Sequence, residues 1–457
     1  MTPTRAAQAV HHGHRGLTVA DVLAAGGIRS VFQPIVDLAS GDVVAHEALA
    51  RGPVGQLQAP DALFAAARAE GVLAELDDAC RVSAFSAASR LGLLAPDTVF
   101  VNVEPEVLDG APLTNLLAIA ESAPGELRIV LEITERALAS RPSELLRTVE
   151  RVREAGWRVA LDDVGAEAAS LAFMSLLRPD VVKLDLALVQ QRPTLAVAEI
   201  MNAVNAYAER SGALILAEGI ETPDHVSVAE GLGATLGQGW LFGRPTESPQ
   251  AVRSGRALDL TVDQSAVWRP STGSPFGCLR DGFTLRRASK RLLIQFSHQL
   301  EAQAQRLGEA CVVASTFQYA RHFTPDTAQR YAALVEAAGF VVVIGEGLPE
   351  EPVPGLRGAS LAGNDPVLGE WDIVVLSPHF SAALLAHDLG DTGPDLDRRF
   401  AYALTYDRPT VIRAARELLS RVAPRLPGVA GSSAAARLPS PAAAPVAQTL
   451  QVGRTGR

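Results

Sequence analysis

The chain has 457 residues, 48% of hydrophobic type and 20% charged, which suits packed cores and excludes wholesale disorder. Acidic residues number 51 against 41 basic ones, a formal net charge of -10. That balance argues against coating duplex nucleic acid, where many Lys and Arg contacts to phosphate carry the affinity. It leaves room for a small anionic ligand at one local site. The three cysteines, Cys80, Cys278 and Cys311, are far apart and draw neither a disulfide framework nor a CxxC zinc pattern. No apolar run approaches the roughly 18 residues of a membrane span. The first residues lack the apolar stretch of a secretion signal, so a soluble cytoplasmic protein is expected.

Residues 1–27 read as a flexible arm whose His11, His12 and His14 are solvated. From 28 to 247 short Val-, Ile- and Leu-rich segments alternate with helical ones. The strands are predicted at Ser30–Leu38, Val43–Leu49, Thr98–Val103, Leu127–Thr134, Arg158–Asp163, Val181–Leu186, Ala213–Ala217 and Leu236–Phe242. The helices are predicted at Ala62–Glu70, Leu76–Ala88, Ser143–Glu154, Leu195–Glu209 and Asp224–Gly231. Ser40-Gly41-Asp42 makes a hairpin of the first two strands. Repeated β-then-α without a GxGxxG after the first strand favours a (β/α) barrel over an open sheet.

Residues 248–274 form a Ser-, Pro- and Gly-punctuated linker, and 275–424 a second, smaller α/β region. That region is predicted to hold a basic helix Leu285–Leu300, strands Val312–Phe317, Phe340–Ile344 and Asp372–Leu376, and helices Asp326–Ala338 and Thr410–Val422. Residues 425–457 are Ala-, Pro- and Ser-rich and read as a disordered tail.

Acidic and amide residues recur at the ends of successive strands: Glu47, Asn102, Glu132, the Asp162-Asp163 pair, Asp185, Glu218, Glu221 and Gln238. In a barrel these ends share one rim, where such folds carry their active sites. That many carboxylates facing one space need cations to offset them. All the donors are oxygens, which favours Mg²⁺ or Mn²⁺ over Zn²⁺ or Cu²⁺. The Asp pair could serve two ions, an arrangement suited to cutting a phosphodiester. Only two of the basic residues are lysines, Lys183 and Lys290. Lys183 shares a strand face with Asp185. It reads either as an ion pair with Asp180 or Asp185, or as a cation aimed at the attacking water or a phosphate oxygen.

Read together, FQPIV, EALAR, VNVEP, LEITE, LDDVG, VVKLD, AEGIE and QGWLFGRP resemble the EAL domain, a family of cyclic di-GMP phosphodiesterases. The resemblance implies a modified TIM (β/α)8-type barrel with one antiparallel strand. It implies one ion on Glu47, Asn102, Glu132 and Asp162, and a second on Asp162 and Asp163 with Glu218 nearby. Lys183 would orient the attacking water, with Glu218 a candidate base. Gln33, Leu49 and Arg51 would contact the dinucleotide, Arg51 through phosphate, while Gln238 and Glu221 complete the shell. Glu135 would anchor the loop after the Asp pair, and Asp185 would support Lys183. Linear 5′-phosphorylated GpG would be the product, and a homodimer is expected. One departure stands out: Val164–Ser170 replaces the family's usual loop, with Glu167 at a usual glycine position.

LRRASKRLL, ASTFQYARHFTP, NDPVLGEWDIVVLSPHFSAALLAHDLGD and RRFAYALTYDRPTVIRAARELLSR resemble a DICT domain, a sensory module. That implies a signal or ligand for residues 275–424 without naming it. Asp365, Glu370, His379, His387, Asp388 and Asp407 are its site candidates. His387-Asp388 lacks the second such pair that a metal-dependent phosphohydrolase needs. Arg286, Arg287, Lys290 and Arg291 read as a solvated basic face. Two functions follow as expectations: a metal-dependent phosphodiesterase set by the C-terminal region, or a receptor that holds cyclic di-GMP without cutting it.

Overall fold

The computed structural model describes residues 17–104, 106, 114–134, 139–165, 169–192, 194–249, 258–260, 272–279 and 283–424. His11, His12 and His14, Glu135, residues 166–168 of the atypical loop and the 425–457 tail lie outside the described residues.

Eight strands close a barrel in chain order: β1 (Arg29–Asp37), β2 (Val43–Arg51), β3 (Thr98–Asn102), β4 (Arg128–Thr134), β5 (Arg158–Val164), β6 (Val181–Leu184), β7 (Leu214–Ala217) and β8 (Leu236–Gln238). β1 is antiparallel to both β2 and β8, and every other neighbouring pair is parallel. This is the modified TIM barrel with one reversed strand. The strands fold as strands because each is a β-branched or aliphatic run buried on both faces, inside by its neighbours and outside by helices. Ile35, Phe100, Val130, Ala160, Val181, Leu216 and Leu236 fill the interior below the rim. Leu258 joins this cluster, and Arg128 and Arg158 donate to the carbonyls of Leu258 and Leu260, so residues 258–260 plug the barrel.

The N-terminal arm reading fails at its end. Val19–Ala24 is a helix with a Thr18–Asp21 capping box, tied to Glu70 through the amides of Val19 and Ala20. β6 stops at Leu184, two residues short of expectation, because Asp185 caps a short helix, Leu186–Gln190.

The second region is a seven-stranded sheet in the order β12-β11-β10-β13-β14-β15-β9. Its strands are β9 (Arg286–Ser289), β10 (Val312–Tyr319), β11 (Phe340–Glu346), β12 (Arg357–Ala359), β13 (Glu370–Leu376), β14 (Ser381–Asp388) and β15 (Arg399–Thr405). The basic helix therefore starts at Lys290, not Leu285, and Arg286 and Arg287 lie on an edge strand. One sheet face packs on the helices Lys290–Leu307 and Pro325–Ala337. The other packs on the helix Arg408–Leu419 and on the barrel. Alternation splits β10 cleanly: Val312 and Ala314 turn to the barrel side, Val313 to the other.

The two regions share one hydrophobic core. Its barrel contribution centres on the helix Ala169–Leu177, where Leu171, Ala172, Phe173, Met174, Leu176 and Leu177 are all buried. A helix that is apolar all round must be covered all round. β5 and the helix Leu195–Ser211 cover one side, and β10 and the helix Arg408–Leu419 cover the other.

Candidate active site

Each parallel strand ends at the same rim, so register alone brings the acids together. Gln33 pairs with Glu47 across β1 and β2, and Asn102 with Glu132 across β3 and β4. Glu47 accepts hydrogen bonds from Asn102 Nδ2 at 2.9 Å and Gln238 Nε2 at 2.7 Å. Lys183 rises from β6 into the middle. Its Nζ lies 2.7 Å from Glu132, 2.8 Å from Glu218, 3.0 Å from Asp162 and 3.8 Å from Glu47. Only 1% of its side-chain surface is exposed, so water does not screen these contacts. The expected ion pairs with Asp180 and Asp185 are not what the structure shows. Asp180 turns to Arg153 and the Val159 amide, and Asp185 to the Ala187 amide.

The carboxylates compete for that one ammonium. Burial pushes Glu132 well above the usual carboxylate range, and the charge of Glu47 beside it adds to the rise. Burial likewise lifts Glu218 to about 8, against the pull of Lys183. Glu47 ends low: burial works to raise it, but Lys183, Gln238 and Asn102 outweigh that. Burial alone would lower Lys183, yet Asp162, Glu132, Glu218 and Glu47 together hold it well above the ordinary lysine value.

β5 bends where the Asp pair sits. Its register with β6 shifts between Leu161 and Val164, a bulge. Asp163 has φ 56, a left-handed conformation that aspartate tolerates better than most residues. Asp162 Oδ1 accepts from the Asp163 amide at 3.0 Å. Gly165 follows at φ 106, where a Cβ would lie 2.5 Å from Leu188 Cδ1, so only glycine fits. The result sets Asp162, Asp163 and Glu218 with one oxygen each within 4.8 Å of one another.

The donor set fits hard divalent cations. All the ligating atoms are oxygens, and among the described residues the buried Glu132 Oε2 has no hydrogen-bond partner. Glu47, Asn102, Glu132 and Asp162 could hold one ion, and Asp162, Asp163 and Glu218 a second. An open cavity of about 860 Å³ adjoins them, lined among others by Glu47, Leu49, Asn102, Arg68, Glu104 and Asp163.

The other expected residues divide. Gln33 donates to the Gly243 carbonyl and Arg51 to the Ala50 carbonyl, and both are half-buried at the rim. Glu221 is exposed, and its amide donates to His225 Nδ1. In the second region Asp407 caps the helix Arg408–Leu419, Asp365 caps the short 3-10 turn Pro366–Gly369 and pairs with Arg421, and Asp388 pairs with Arg398. Lys290 and Arg291 meet Asp395 and Asp397. Sequence reasoning missed Asp77 and Arg81, a buried i,i+4 pair 2.8 Å apart; Asp77 also accepts from the Glu104 amide and so fixes the turn after Asn102. Two opposite charges four apart in an apolar helix were the available signal.

A model of the EAL domain matches residues 17–245, half of the chain. The chain belongs to the EAL family. Residues 280–389 match the DICT model, described as a sensory domain in diguanylate cyclases and two-component systems. The cyclic di-GMP phosphodiesterase NbdA of Pseudomonas aeruginosa is 32% identical over 221 residues, 47% of this chain and 28% of that protein. The probable cyclic di-GMP phosphodiesterase PdeB of Escherichia coli is 31% identical over 218 residues, 47% of this chain and 42% of that protein. The EAL-family chain thus spans less than half of those relatives' own lengths. A solved structure titled as the calcium and cyclic di-GMP complex of Klebsiella pneumoniae BlrP1 is 28% identical, covers 50% of this chain and 58% of its own, and has a TM-score of 0.44. No helix among the described residues is long and apolar enough to cross a membrane.

Proposed function

We propose that this EAL barrel hydrolyses cyclic di-GMP to the linear 5′-phosphorylated dinucleotide, using two divalent cations, Mg²⁺ or Mn²⁺, under the control of the DICT region. The observation that carries the reading is the cage: four carboxylates around one buried ammonium, with a further Asp at its edge. Such a cage binds cations strongly and otherwise costs stability. Bound ions would supply Lewis acidity and stabilise developing charge on phosphate oxygens.

The chain's own groups do the rest. Lys183, whose Nζ now lies within 3.0 Å of Glu132, Glu218 and Asp162, would turn an N–H to an oxygen of water or phosphate once cations take up those carboxylates. Glu218 lies 2.8 Å from Lys183 Nζ beside the Asp pair, where its carboxylate would be placed to accept a proton from the attacking water. Arg51, half-buried at the end of β2, offers its fork to a phosphate. Lys183 keeps Glu47 ionised, with help from Gln238 and Asn102, whose amides also hold it in place.

The test uses purified full-length chain, cyclic di-GMP and Mg²⁺ or Mn²⁺. Glu47→Ala is expected to lose product formation by at least about 100-fold, the scale of removing one charge-stabilising group. Glu230→Ala, exposed on the helix Pro223–Gly231, is expected to change it less than about threefold. Equal loss in both variants would sink the site assignment. Tight nucleotide binding with no product under either ion would instead favour a receptor, the reading that the Glu167-bearing loop supports.

A further inference from the structure

The helix Ala169–Leu177 begins six residues after Asp163 and packs on β5, and the second region grips its far side. Arg408 Nη2 donates to Ser175 Oγ at 2.6 Å and to the Ser377 carbonyl at 2.9 Å. Arg416 Nη1 donates to the Leu176 carbonyl at 2.7 Å, while its Nη2 meets Glu150 at 2.9 Å. Phe173 and Phe340 meet edge to face, ring centres 5.8 Å apart. The Leu176 carbonyl, in the last turn of the helix, is thus capped by a guanidinium from the second region. In β5, on which this helix packs, Asp163 sits in a left-handed conformation inside a strand bulge. Conformations of that kind persist only where the surroundings impose them.

We propose that Arg408 and Arg416 are positioning residues for the cation site: by fixing the helix Ala169–Leu177 they hold the bulged turn that presents Asp163. Motion of the second region at this contact changes the placement of Asp163 and therefore the affinity for the second ion. The proposal rests on the reading that Asp162, Asp163 and Glu218 hold a divalent cation. It deepens that reading by naming the contact through which the DICT region acts.

The experiment is a manganese titration of the full-length chain, reading free Mn²⁺ by electron paramagnetic resonance, with amide hydrogen exchange followed in parallel. In the Arg408→Ala/Arg416→Ala variant the dissociation constant for Mn²⁺ is expected to rise about tenfold, within the usual range of inter-site coupling. Exchange over 158–165 and 169–177 is expected to quicken. Arg416→Lys keeps the charge but has one nitrogen where the guanidinium uses two. It is expected to give a smaller rise in the same direction, and it stands as the test should the double variant fail to fold. Arg330→Ala breaks an ion pair with Glu301 away from this contact and is expected to leave Mn²⁺ affinity unchanged. Unchanged affinity in the Arg408/Arg416 variants, with or without faster exchange at 169–177, overturns the proposal. A wild-type chain that binds no Mn²⁺ overturns the functional reading, and this proposal with it.

Discussion

Lys183 is a single ammonium shared by four carboxylates, and that imbalance governs the chemistry at the scale of residues. Lys183→Met leaves buried acids without their counter-charge, a change that typically costs about 3–5 kcal/mol. The chelator-treated variant is therefore expected to melt well below wild type, and Mn²⁺ to restore most of the difference. Equal melting without ions would show that the ammonium does not balance the cage. Glu218 has its own consequence. With a carboxyl at about 8 it is mostly protonated at neutral pH and must shed that proton to take a cation. Apparent cation affinity is thus expected to climb between about pH 6 and 8 and then level, with protons released on binding. Calorimetry in buffers of different ionisation enthalpy reads this directly, and a flat profile would contradict it. The rim residues were legible in the sequence because each ends an apolar strand run. The partners of Lys183 were not: nearness in sequence pointed to Asp180 and Asp185, whereas parallel register brings in Glu132 and Glu218 from strands far along the chain.

Among elements, the barrel strands were readable because β-branched runs with sharp boundaries leave few other choices. β14 and β15 were not. The Ala-rich SAALLAHD has low strand propensity, and it forms a strand because β13 and β15 flank it and both its faces are buried. The helix Ala169–Leu177 was missed for a related reason. Apolar on every side, it shows no amphipathic period until its cover in another domain is known. In β13, Asp372 is fully buried beside Glu370, and its Oδ2 has no hydrogen-bond partner among the described residues. Burial first, then the charge of Glu370, raises it well above its ordinary 3.8. The folded chain therefore holds this proton after the unfolded chain has lost it. The stabilisation is complete below about 3.8 and is lost as pH rises through the folded value. Asp372→Asn is expected to flatten the fall of melting temperature with rising pH. An unchanged slope would place the dependence elsewhere.

For the whole molecule, the decisive feature is a core that runs from the barrel's helices into the second sheet without a break. Most surfaces between domains are more polar than this. Truncation after residue 260, which keeps the Leu258 plug, would bare Phe173 and its neighbours, and the barrel alone is expected to self-associate or precipitate. Size-exclusion chromatography of the fragment checks this, and a well-behaved monomer would show that the shared core is dispensable. The same continuity carries the Arg408 and Arg416 contact through which, on the proposal above, the second region acts on the Asp pair. The account stands most directly on one measurement: linear product formed from cyclic di-GMP by the full-length chain, with Mn²⁺ or Mg²⁺ added and again after chelation. It predicts product with ions, none after chelation, and recovery when ions return. Product that persists undiminished in chelator, or its absence with every ion tested, would contradict it.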